Sequence, residues 1–312
     1  MKIKKTFFKD SFALLVATVN SFIDDKAMKM SAALAYYTLF SLAPLLLIVL
    51  WLVGFFFGQH SESQEQILKE LEKMVGTEAA YQIQQVIQKI GLQDKSGLAI
   101  GIGIVTLVIG STTVFVQIQD SINDIWKVRV KPKKEWVRLV LNRLLSFSMI
   151  IGIGFLLVVS LIVTTIISSM NVIISRYIPI DTLWMVDLAN RAITFLVIAT
   201  LFGVIFRFLP DARIRWKTVR IGAIFTAVLF MLGQYLIGLY MRYSAPASAY
   251  GAAGSVIVIL LWIYYTSAIL YFGAEFTKEF AKKHGGGITP SPYAVRVVQS
   301  ETVEEEEERT PM

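Results

Sequence analysis

Tyr250-Gly-Ala-Ala-Gly-Ser-Val-Ile-Val-Ile-Leu-Leu-Trp-Ile-Tyr-Tyr-Thr-Ser-Ala-Ile-Leu-Tyr-Phe-Gly-Ala-Glu-Phe-Thr-Lys278 is long enough to cross a bilayer as one helix, for which about 20 apolar residues suffice. Small residues crowd its start, from Gly251 to Ser255, and Trp262, Tyr264 and Tyr265 mark its middle. One carboxylate, Glu275, stands near its far end. Ionisable groups are rare in such segments and mark functional sites.

The rest of the chain repeats this pattern. Of 312 residues, 55% are hydrophobic and 17% charged, against about 25% charged in soluble domains. Apolar stretches at about 31–57, 97–118, 139–167, 186–208 and 218–240 add five spans to the one quoted. Pro44 is expected to kink the first. Gly97, Gly101 and Gly103 give the second a small-residue face for close helix contact.

The expected fold is therefore all-α, a polytopic bundle of six transmembrane helices occupying residues 1–283. Residues 6–25, with Phe8, Phe12, Leu15, Val19 and Phe22 at helical spacing, read as an interfacial amphipathic helix rather than a cleaved signal peptide. Residues 61–92 carry two apolar stripes and read as an extracytoplasmic pair of amphipathic helices. Residues 284–312, Pro-rich and ending in Glu304 to Glu308, read as a disordered acidic cytoplasmic tail.

The net charge of +7 is not a nucleic-acid signature, because the basic residues flank the apolar runs. With both termini on one side, that side carries 23 of the 30 Lys and Arg, against 6 on the other. Positive loops mark the cytoplasmic face, so both termini are expected inside a cytoplasmic (inner) membrane. This count puts Glu275 at the cytoplasmic end of its helix, where burial costs less. The chain has no cysteine and hence no disulfide or thiolate site.

Three separated motifs resemble one known family. Ser31-Ala-Ala-Leu-Ala-Tyr-Tyr-Thr-Leu-Phe-Ser-Leu-Ala-Pro44 is similar to the first-span signature of the YihY/BrkB family, once labelled ribonuclease BN. Gln119-Asp-Ser-Ile-Asn-Asp-Ile-Trp126 is similar to its second-span exit. Tyr250-Gly-Ala-Ala-Gly-Ser, Leu261-Trp-Ile-Tyr-Tyr and Phe272-Gly-Ala-Glu-Phe276 are similar to its last span. The likeness covers about residues 10–283. It implies a six-helix inner-membrane protein, with transport, lipids among the proposed cargo, as the expected activity.

The residues themselves speak against a nuclease. His60 and His284 fall on opposite sides of the expected topology, and neither has a second ligand at metal-like spacing. No phosphate-cradling GxxxxGK[ST] run is present. No catalytic residue, metal or cofactor is expected. The candidate substrate- or ion-binding residues are Glu275, Asp120, Asn123, Asp124, Arg143 and Arg191. The first five lie at similar depth near the inner side, and Asp120 and Asp124 share a helix face. Such a network is either an interhelical latch or a coordinating mouth. Arg191, at the outer side, either snorkels to headgroups or contacts a phosphate.

Two functions fit. One is a transporter or flippase-like permease for an amphiphilic or anionic substrate, lipids included; its partners are membrane lipids and not nucleic acid. The other is a non-transporting scaffold that recruits envelope proteins. Deleting residues 62–91 separates them, since a scaffold loses partners while a permease retains flux.

Overall fold

The computed structural model describes residues 2–41, 113–131, 183–244, 254–284 and 286–298. Helix α1 spans Lys2–Asp24, and after a turn at Asp25 and Lys26 helix α2 occupies 27–41. Helix α3 occupies 113–125. The long helices are α4 (Leu183–Phe208), α5 (Trp216–Ser244) and α6 (Gly254–Lys283). Four short strands complete the set: β1 (Val128–Val130), β2 (Ala212–Arg213), β3 (Thr289–Pro290) and β4 (Ala294–Arg296).

Three of these helices are long and apolar enough to cross a membrane, with spans Arg191–Phe208, Trp216–Ile237 and Ile259–Lys283. They coincide with the last three expected spans. The expected spans at 97–118 and 31–57 are described only in part, and that at 139–167, with Arg143 and the 61–92 pair, lies outside the described residues.

Helices α5 and α6 run antiparallel and interlock. The Thr277 side chain occupies the space a Cβ on Gly222 would need, and Thr226 does the same to Gly273. Further along, the Tyr265 hydroxyl fills the gap at Gly233. Each threonine returns its hydroxyl to the glycine carbonyl of its own helix, Thr226 to Gly222 and Thr277 to Gly273, both at 2.7 Å. A hydroxyl satisfied this way can be buried between helices without an orphaned donor. Helix α4 packs on the other side of α5 through Phe202 and Phe230, 5.8 Å apart and edge-on.

Helix α1 lies against α6. Phe22 meets Phe272 edge-on at 5.5 Å, and the Ser21 hydroxyl donates to Glu279 at 3.1 Å. Its opposite side exposes Phe12, Val16, Val19 and Ile23. Helix α3 continues through the polar stretch 117–125 because Ile118, Ile122 and Ile125 recur on one buried face.

One expectation is corrected. Residues 284–312 are not a disordered tail throughout, because 286–298 fold back on the bundle. Gly286 and Gly287, at φ 153° and 53°, turn the chain off α6 in conformations that favour glycine. Strand β3 then pairs antiparallel with β2, and β4 with β1. Flanking bonds extend both ladders: Ser291 N–H to Asp211 O at 3.0 Å, Lys131 N–H to Tyr293 O at 3.0 Å, and Val297 N–H to Lys127 O at 2.8 Å. Ile288 and Ala294 are buried in the core. This end of the fold therefore gains both apolar burial and paired backbone groups, which a solvated tail lacks. Residues 299–312, with the glutamate run, lie outside the described residues.

Candidate functional site

Four ionisable side chains line up where the α1–α2 turn, the end of α3 and α6 converge. Lys127 Nζ donates to Asp25 Oδ1 at 2.7 Å, and Lys278 Nζ donates to Asp25 Oδ2 at 2.8 Å. Lys278 also approaches Glu275 Oε2 at 2.6 Å, as an ion pair rather than a directed hydrogen bond. Charge thus alternates along the series Lys127, Asp25, Lys278, Glu275. Side-chain exposure falls in the same order, 34%, 10%, 8% and 0%. The row leads from solvent to a fully covered carboxylate.

Backbone geometry brings these groups together. Lys26 and Lys127 both adopt left-handed φ, 54° and 56°, just beyond the ends of α1 and α3. Helices commonly stop on such a residue, but a side chain there is strained relative to glycine. The two turns bring the Lys127 side chain to Asp25. Helix α6 contributes Glu275 and Lys278 one turn apart, where three-residue spacing makes neighbours. Burial alone would raise the Asp25 carboxyl. Hydrogen bonds from Lys127 and Lys278 outweigh it and hold the group below its ordinary value of 3.8.

A second buried carboxylate anchors the adjoining corner. Asp211, just after Pro210, receives Asn123 Nδ2 at 2.7 Å and Gln119 Nε2 at 3.2 Å, and its own N–H donates to Asn123 Oδ1 at 2.9 Å. Tyr293 from the returning terminal segment is pushed above its ordinary value by burial and then by the Asp211 charge beside it. Nearby, the Trp126 indole donates to the Ala274 carbonyl at 3.1 Å. Asp211 thereby ties α3 to the α4–α5 connection, and Trp126 ties α3 to α6.

The expected network is thus partly assembled and partly redistributed. Glu275 and Asn123 are buried on this side of the molecule, as members of two adjacent clusters rather than one. Asp120 is within electrostatic range of Tyr271, and Asp124 is exposed. Arg191 is exposed near the start of α4, about 25 Å by helix rise from that helix's far end. The charge count put Glu275 near the end of its helix, where burial costs less, and its side chain is fully covered there, because α6 continues to Lys283 and other elements close over it.

Asp25, Lys278 and Asp211 were not singled out by sequence. Lys278, three residues after Glu275, was legible as its neighbour. Asp25 and Asp211 sit in connections, and only tertiary contacts reveal their partners. Among the described residues no group of three or more His, Cys, Asp or Glu is placed to hold a metal ion.

Comparison with known proteins agrees with this reading of the polypeptide. The chain is 30% identical over 274 residues to a UPF0761 membrane protein of Pseudomonas aeruginosa (strain LESB58), covering 86% of this chain and 62% of that protein. It is 26% identical over 266 residues to a UPF0761 membrane protein of Stenotrophomonas maltophilia (strain R551-3), covering 83% and 59%. A third, from Psychrobacter sp. (strain PRwf-1), is 27% identical over 282 residues, covering 88% and 49%. The chain spans about half to three fifths of the length of these relatives. No solved structure gives a significant match. The family described as Virulence factor BrkB matches residues 18–297, reaching past residue 283 to take in both terminal strands. Long apolar helices, the three motifs and a match over most of its length make this chain a membrane protein of the BrkB family.

Proposed function

We propose that the protein is a transporter or flippase-like permease for an amphiphilic or anionic substrate, lipids foremost, in the cytoplasmic membrane. Both termini face the cytoplasm, and the chain is not an enzyme. The observation that carries this reading is the row of charges from half-exposed Lys127 to fully buried Glu275, at the end of a helix able to span the membrane. A carboxylate held this way is far costlier than an apolar side chain. Its ion-pair partner Lys278 stands on the same helix and also binds Asp25 of the α1–α2 turn, so a shift of α6 against that turn breaks or remakes the row.

The test is lipid movement by the full chain in vesicles containing fluorescently tagged phosphatidylglycerol. Dithionite quenches outer-leaflet label, so movement appears as slow loss of the protected fraction. Loss well above that of protein-free vesicles is expected. Protection equal to protein-free vesicles, with folded protein present, sinks the lipid reading.

A further inference from the structure

We propose that Glu275 carries an exchangeable proton and that proton movement is the coupling reaction of this chain, Asp25 serving as the acceptor that stabilises the protonated form. The inference deepens the transport reading and rests on it only for the second arm of the test below.

The arrangement around Glu275 is incomplete. Glu275 is fully buried, and its Oε1 has no hydrogen-bond partner among the described residues. Buried polar atoms without partners are uncommon in folded proteins. Lys278 gives its directed hydrogen bond to Asp25 and only a charge contact to Glu275. Asp25 and Glu275 hold the same Lys278 ammonium, at 2.8 and 2.6 Å, so the two carboxylates are neighbours. While both carboxylates are ionised, neither has an O–H to place between them. A proton on Glu275 supplies that donor.

The surroundings accommodate the change. Lys127 and Lys278 balance Asp25 and Glu275, so the row is neutral when all four are charged. Protonation forms one O–H bond, breaks none within the protein, and leaves a single positive charge. That charge is not stranded, because Lys278 keeps its hydrogen bond to Asp25. The charged groups facing Glu275 are Lys278 on its own helix, Asp25 from the α1–α2 turn, and Lys127 from the end of α3 through Asp25. Asp120, also on α3, is within electrostatic range of Tyr271.

An entry from solvent is also present. Asp25 is the slightly exposed group through which a proton from water reaches Glu275. One turn further into the span stands Tyr271, fully buried, its hydroxyl without a hydrogen-bond partner among the described residues. Lys278, Glu275 and Tyr271 follow one another at three- and four-residue spacing, and so share one face of α6.

The test has two arms on the full chain in lipid vesicles. In the first, infrared spectra are recorded near neutral pH, where ordinary carboxylates are ionised, and on stepwise acidification. Wild type is expected to show a protonated-carboxyl band that is missing in Glu275→Gln and displaced in Glu275→Asp. Identical bands in wild type and Glu275→Gln overturn the proposal, and Glu275→Asp keeps the arm decisive where Gln disturbs folding. In the second, a gradient of one pH unit is imposed while tagged phosphatidylglycerol movement is followed. Wild type is expected to respond by up to about tenfold, and Glu275→Gln not at all. Movement by wild type that ignores the gradient overturns the proposal. Absent lipid movement with the carboxyl band intact removes the lipid reading and leaves the proton-carrying assignment standing.

Discussion

Lys278 shows how much a single side chain can hold together in this protein. Its ammonium lies between Asp25 at 2.8 Å and Glu275 at 2.6 Å, with 8% of the side chain exposed. Removing it with Lys278→Ala leaves two carboxylates facing one another under cover. Breaking a buried pair costs about 3–5 kcal/mol, so a marked loss of thermal stability in detergent is expected. Lys127, 34% exposed, is screened by solvent, and Lys127→Ala is expected to cost about 1 kcal/mol or less. Equal effects of the two substitutions would refute the graded picture. Acid gives an independent check. Asp25 has a lowered folded value, so its contribution is fully present above the unfolded 3.8 and lost as pH falls through the folded value. Stability attributable to Asp25, read as the difference between wild type and Asp25→Asn, should therefore persist at pH 5 and fade only in stronger acid.

Among the helices, the α5–α6 pair makes the sharpest claim. Its contact includes two glycines each filled by a threonine from the opposite helix. Gly222→Val or Gly273→Val inserts carbon where Thr277 or Thr226 already sits. Overpacking of this kind typically costs about 1–3 kcal/mol. A melting temperature within error of wild type for both variants would show that the helices part easily. The long apolar helices were readable because composition and length alone select for them: α4 begins three residues before its expected start and α5 two before. The terminal strands were missed because the prolines and the glutamate run dominate that composition. Tyr293-Ala-Val-Arg-Val-Val298 nevertheless carries a β-prone signal. At the site, Glu275 stood out as a lone carboxylate in an apolar run. Asp25 and Asp211 gave no comparable local contrast, since acidic residues are ordinary in turns.

Across the whole molecule, the returning segment 286–298 links the end of α3 with the α4–α5 connection, so it belongs to the bundle and not to the tail. Because the chain lacks cysteine, that link can be trapped without background. Arg129 and Val295 are register partners, close enough in an antiparallel pair for a bridge. Arg129→Cys with Val295→Cys should cross-link on oxidation and change gel mobility, while Arg129→Cys with Thr289→Cys should not. No cross-link in the first pair would mean the strands are unpaired in the membrane. Orientation is checked similarly. Lys217→Cys is expected to resist an impermeant thiol reagent in intact cells and react after permeabilisation; labelling from outside reverses the proposed topology.

The threonine–glycine contacts limit how such a molecule can move. Because each helix presents both a recess and the group that fills the other's, sliding α5 along α6 must dislodge two threonines together. Between these helices translation is therefore discouraged in either direction, and they travel as a single strut. Relative displacement is left to the seam where α6 meets the α1–α2 turn and the end of α3. Among the described residues that seam is joined by ion pairs, the Trp126 indole and Ser21 hydroxyl hydrogen bonds and one aromatic contact, which re-form after a shift of an ångström or two more readily than an interlocked joint does.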